Sequence, residues 1–166
     1  MSDQLIQFVR DYFETKEFIP LHAPVFPGRE KEYVADTIES TFVSSVGAYV
    51  DRFEQDMASY TGSPKAVATV NGTAALHIAL KLAGVEKGDL VITQPLTFVA
   101  TCNAIAYCNA EPVFVDVDRN TLALSAKALA IWLEENARLD TEGVCRTRTD
   151  SKVVRACVPM HTFGHP

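Results

Sequence analysis

No glycine-rich loop of a nucleotide-binding type occurs in this chain. Both G-x-G-x-x-G and G-x-x-x-x-G-K-[ST] are absent, which argues against dinucleotide binding and nucleotide hydrolysis. The G-x-S-x-G elbow of the α/β-hydrolases is missing as well. Basic charge is scarce. Lys and Arg number 15 against 21 Asp and Glu, a net charge of -6, which is the wrong sign for a general nucleic-acid binder. Apolar stretches are interrupted by Lys, Asp, Gly or Pro well before membrane-spanning length. The N-terminus shows no basic flank followed by an apolar block, so the sequence predicts a cytoplasmic protein with no membrane partner. Cysteine is sparse too. Cys102, Cys108, Cys145 and Cys157 make neither a C-x-x-C pair nor a zinc pattern, and they are expected to be buried structural thiols.

What is present is the composition of a globular chain, 48% apolar and 22% charged over 166 residues. That length suits about one domain. Periodicity divides it into a helical segment, 1–62, and an alternating segment, 63–166. In the first, Ser2 is placed to cap a helix with Leu5, Phe8, Val9, Tyr12 and Phe13 on one stripe. Residues 19–24 read as extended because two of them precede proline. A second helix is expected over about 29–42, with Val34, Ile38 and Phe42 on one face. A third should turn Val50, Phe53, Met57 and Tyr60 inward and stop near Gly62.

The alternating segment predicts strands at 65–70, 90–93, 112–117 and 153–160. Helices are expected at 73–83, 98–107 and 125–139, and a polar surface loop at 140–152. The strands are continuous apolar runs, so both faces of each should be covered. Repeated strand–helix–strand units point to the α/β class with a mainly parallel sheet.

Ligands of such sheets sit beyond the carboxyl ends of the strands. The segment Asn71-Gly72-Thr73 lies there and opens a helix rich in Ala and Leu. A helix N-terminus presents unpaired N–H groups and partial positive charge, the usual seat of a phosphate. Gly72 permits close backbone approach, and the Thr73 hydroxyl adds a donor. Phe98 stands at the next helix start, where its ring suits a flat ligand by stacking. An ordinary strand–helix turn followed by a core Phe explains the same spacing.

Asp116 and Asp118 share one face of an extended segment, but Arg119-Asn120-Thr121 reads as a turn, so solvated turn carboxylates are expected. His161 and His165 have no visible third ligand, and Gly164 and Pro166 exclude a helix between them, so no metal site is expected. His77 is expected on the helix surface or packed, and Trp132 in the core with Leu129 and Leu133.

Several segments in order resemble the DegT/DnrJ family of sugar aminotransferases. They are Asn71-Gly72-Thr73-Ala74-Ala75-Leu76-His77, Gly88-Asp89-Leu90-Val91-Ile92-Thr93 and Leu96-Thr97-Phe98-Val99-Ala100-Thr101. Pro112-Val113-Phe114-Val115-Asp116-Val117-Asp118, His161-Thr162-Phe163-Gly164-His165-Pro166 and the upstream stretch from Ser40 to Gly47 continue the likeness. The last of these is similar to the branch that aminates nucleotide-linked 4-keto-6-deoxy sugars toward nonulosonic acids.

The resemblance implies a three-layer sandwich, an incomplete large domain of a fold-type-I pyridoxal phosphate transferase preceded by N-terminal helices. It implies amino transfer, commonly from glutamate, to a keto group of a nucleotide-linked sugar in polysaccharide or nonulosonic acid synthesis, by a homodimer when complete. Gly72 and Thr73 match the family's phosphate-binding turn and Phe98 its ring-stacking position. His161 and His165 match a loop near the active site without an assigned role. The lysine that forms the family's Schiff base, and an acidic partner of the pyridine nitrogen, are expected beyond Pro166. Residues 1–166 are therefore expected to hold no catalytic residue and to be inactive alone. Two other readings stay open: a non-catalytic binding or assembly module that keeps half of the fold, and an unrelated α/β enzyme with a phosphate ligand.

Overall fold

The structure, a computed structural model, describes residues 2–20 and 22–164. The expectations placed on the Ser2 cap, Leu21 and His165 fall outside the described residues or side chains. The chain forms two compact units, residues 1–66 and 67–166.

The first unit contains helices α1 (Ser2–Tyr12), α2 (Glu30–Glu39) and α3 (Ala48–Thr61). α3 ends where the sequence predicts. Gly62 adopts φ +68, a left-handed stop that glycine takes without a Cβ clash. α2 is shorter than expected at both ends: Arg29 is its N-cap, and the chain closes it with the Ser40 N–H donating to the Asp36 carbonyl and the Thr41 N–H to the Ile38 carbonyl. The inward stripe on α3 is not realised, since α2 and α3 bury no residue and Phe53 and Tyr60 are 54% and 89% exposed. An amphipathic stripe is buried only where a second apolar layer meets it, and within this unit none does.

The second unit is an α/β layer structure, as expected. Helix α4 (Gly72–Leu82), strand β1 (Leu90–Thr93), helix α5 (Val99–Tyr107) and strand β2 (Glu111–Phe114) follow one another. Helix α6 (Ala126–Asn136), strands β3 (Ala137–Leu139), β4 (Cys145–Thr147) and β5 (Val154–Val158), and a short 3-10 turn at Thr162–Gly164 complete it. The sheet is parallel in the order β2-β1-β5, with Leu90 opposite Glu111 and Ile92 opposite both Val113 and Cys157. The core is built from Leu80 of α4, Val91 of β1, Ala104 and Ile105 of α5, and Val85, Cys108 and Ala110 from the connections.

Four expectations need correction. Residues 65–70 are assigned to no strand, and Val67 and Val70 are 79% and 89% exposed. An apolar run becomes a strand only when a neighbour supplies ladder bonds, and no ladder among the described residues includes it. Coverage of both faces holds for β1, which is buried throughout, but β5 alternates between half-buried and exposed positions. Ala156 and Val158 pack on the core while Arg155 and Cys157 point away from it. Hence, of the four cysteines, only Cys108 is buried; Cys102 and Cys145 are half-buried and Cys157 is exposed. Finally, the helix expected to reach 139 ends at Asn136. Residues 137–139 pair antiparallel with 145–147 inside the expected loop. Asp140 closes that hairpin by accepting the Glu142 and Val144 amides at 2.9 Å each.

Candidate functional site

The loops at the carboxyl end of the sheet and the start of α4 share one open cavity of about 670 Å³. Gly72, Thr73, Leu76, Phe98, Thr101 and Met160 are on its wall. The three residues singled out from the sequence, Gly72, Thr73 and Phe98, are therefore brought together, and among the described residues no charged side chain lines the space.

Each arrives there for a local reason. Asn71 is extended and caps α4, its side-chain oxygen accepting the Ala74 N–H at 2.9 Å. The Gly72 and Thr73 amides precede it in the first turn, where helix geometry offers no intrahelical acceptor. A Cβ on Gly72 would meet nothing within 4 Å, so glycine leaves open room rather than relieving a clash. Phe98 is the N-cap residue of α5 and lends no side-chain bond to it; its ring is 77% exposed. Behind it, Thr97 Oγ1 and Thr101 Oγ1 share a hydrogen bond of 2.9 Å across the first turn of α5.

The remaining candidates do not join this group. Asp116 Oδ1 accepts the Val117 amide, and Asp118 Oδ1 accepts the amides of Asn120 and Thr121 at 2.7 and 3.3 Å, the pattern of turn carboxylates. No metal-ligating cluster occurs among the described residues. His161 is exposed, and His77 lies edge-on to the Tyr107 ring at 5.7 Å. Among the described residues no lysine lines the cavity. Lys81 Nζ reaches the Val85 carbonyl at 3.4 Å. Lys152 Nζ donates to both carboxylate oxygens of Glu111, which raises its pKa above the usual lysine value.

Gln94, at the head of the Gln94–Phe98 segment beyond β1, has no role that the sequence assigns. It is fully buried at the carboxyl end of β1 and bonded to the loops after all three sheet strands. Its signal was an amide side chain closing an otherwise apolar strand. A separate groove of about 380 Å³ lies between α2 and α3, lined by Tyr33, Phe53, Arg52 and Asp56 among others, and has no phosphate-type turn.

The profile of the DegT/DnrJ/EryC1/StrS aminotransferase family matches residues 26–166. A GDP-perosamine synthase from Escherichia coli O157:H7 is 37% identical over 150 residues, 90% of this chain and 36% of that protein. The crystal structure of an aminotransferase from Psychrobacter cryohalolentis superposes with a TM-score of 0.71 at 30% identity, covering 90% of this chain and 33% of its own. A putative sugar aminotransferase from Streptococcus pneumoniae in its PLP form gives 0.59 at 31% identity, covering 68% and 29%. The chain thus spans about a third of the length of the relatives it matches. Among the described residues no helix is long and apolar enough to cross a membrane.

Proposed function

The chain belongs to the DegT/DnrJ/EryC1/StrS aminotransferase family, and on that footing we propose that its second unit holds the phosphate and ring of pyridoxal phosphate, the cofactor of this family. The observation that carries the reading is the single cavity shared by Gly72, Thr73 and Phe98. The residues fit the group. The first turn of α4 offers amides and a partial positive charge to a phosphate. The space above Gly72 is open, and the exposed Phe98 ring offers a face to the heterocycle.

When bound, the cofactor supplies the electron sink and carries the amino group. The residues of this chain bind and orient it. Thr73 adds a hydroxyl donor beside the phosphate, and Phe98 offers its ring face to the heterocycle. Among the described residues no lysine borders the cavity, so these residues alone would not carry amino transfer. In the whole enzyme the reaction would move an amino group, from glutamate, to a keto group of a nucleotide-linked 4-keto-6-deoxy sugar. The name of the Escherichia coli relative, a synthase of a GDP-linked amino sugar, supports that substrate class. A homodimer in the cytoplasm, serving nonulosonic acid or polysaccharide synthesis, completes the proposal.

Pyridoxamine phosphate is the suitable probe, because it lacks the aldehyde that reacts with surface lysines. Equilibrium dialysis against the 166-residue chain should show one saturable site. Gly72→Val, which fills open space, should abolish binding while leaving the circular dichroism unchanged. Phe98→Ala should weaken it by up to roughly tenfold, the worth of one aromatic stack. Binding indifferent to both substitutions, or no saturable binding, contradicts the reading.

A further inference from the structure

Gln94 is 0% exposed, and both donors of its amide nitrogen and its amide oxygen are bonded. Nε2 donates to the Leu96 carbonyl at 3.0 Å and to the Leu122 carbonyl at 3.1 Å. Oε1 accepts the Met160 N–H at 3.1 Å. The orientation is forced by the partners, since a flipped amide would set its oxygen against two carbonyls and its NH2 against an N–H. These three partners belong to three separate connections, those leaving β1, β2 and β5.

The Leu122 end of this node carries strain. Leu122 sits at φ +59, an uncommon place for a non-glycine residue. Its carbonyl takes a second bond from the buried Thr162 hydroxyl at 2.8 Å. Two donors on one carbonyl offset the cost of that left-handed conformation. Thr93 adds a parallel tie at the strand ends, its hydroxyl donating to the Val158 carbonyl at 2.9 Å.

Met160 is on the cavity wall, and Leu96 immediately precedes Thr97 and Phe98, which are on it too. Gly72 and Thr73, at the phosphate end, have no bond to Gln94. We infer that Gln94 is a positioning residue for the ring end of the cofactor cavity, locking the Phe98 and Met160 segments at fixed separation while leaving the phosphate turn to α4. The inference rests on the function proposed above, and it assigns a task that a merely filling core residue would not have. Among uncharged side chains, only a primary amide supplies two donors and an acceptor at one planar tip, and glutamine gives it the reach to span three loops.

The test compares two probes, pyridoxamine phosphate and inorganic phosphate, on the same full chain. Gln94→Met keeps the volume and removes both donors and the acceptor. It should weaken pyridoxamine phosphate on the order of tenfold, the loss expected when buried backbone groups go unpaired, with inorganic phosphate unaffected. The Met160 amide should exchange faster with solvent in the same variant. If Gln94→Met does not fold, Thr162→Val removes the second donor to Leu122 and should show the same split to a smaller degree. Equal weakening of both probes marks general damage and overturns the inference. So does pyridoxamine phosphate affinity unchanged in a folded Gln94→Met, a result that leaves the function reading standing. A wild-type chain that binds neither probe brings down both.

Discussion

Residues 2–66 and residues 67–164 draw on the same kind of amphipathic helix and put it to different use. α2 and α3 carry apolar faces yet bury nothing within their unit. α4 and α5 carry similar faces and, with Val91 of the central strand, enclose a core around Ile105 and Val85. The difference lies in the partner. A sheet strand buried along its whole length presents a broad apolar surface to two helices at once. Two short helices have no such third surface. Apolar periodicity therefore foretells an element, while burial depends on a second layer. The candidate site follows the layered unit, because its loops are tied down by the strand ends.

The comparison can be broken most forcefully in the core. Ile105→Ala, at a fully buried position, should cost roughly 2–5 kcal/mol. Tyr60→Ala on α3 should stay within about 0.5 kcal/mol, as at other open surface sites. Urea denaturation followed by Trp132 fluorescence and by circular dichroism measures both; equal losses would erase the distinction. Next in size comes Gly62→Ala, which forces a Cβ into the left-handed stop at φ +68 and should cost about 1–2 kcal/mol. Helix content by circular dichroism should fall, while Trp132 in the second unit reports no change. Asn71→Ala removes the cap on α4 and should cost about 1 kcal/mol in the second unit only. The smallest effect concerns acid. The Arg146 guanidinium, with the Val144 and Glu142 amides, holds the Asp140 carboxyl below its usual value of 3.8. Its contribution is present above that usual value and is lost as pH falls through the lowered one. Asp140→Asn should therefore flatten the acid limb of the stability profile of the second unit. An unchanged acid limb would show that the β3–β4 hairpin does not sense this pair.

Much of the layered unit is legible in residues alone. β1 appears at 90–93 as expected, and α5 starts one residue later than read. Their signals are local: an apolar run after Gly88-Asp89, then a helix of small apolar residues. The turn at Asn71-Gly72 is legible because an N-cap acts over three residues. What the pattern misjudged is non-local. The run at 65–70 has strand composition, but a strand is defined by its neighbour. The hairpin of 137–147 was hidden because Ala137 to Leu139 continue a helical pattern, and only the Asp140 turn and the pairing with 145–147 reverse it. Gln94 was opaque for the same reason, since its partners Leu122 and Met160 lie 28 and 66 residues away. Phe98 could be named from its helix start, but its shared space with Gly72 needed coordinates.

The central claim is that the α4 turn and the Phe98 ring form one seat for a phosphorylated pyridine. Amide shift mapping during a pyridoxamine phosphate titration tests it most directly. The account predicts that Gly72, Thr73, Phe98 and Met160 move together with a single saturation constant, while amides of α2 and α3 stay still. Shifts confined to the groove between α2 and α3, or a saturable response that bypasses Gly72 and Thr73, would contradict it.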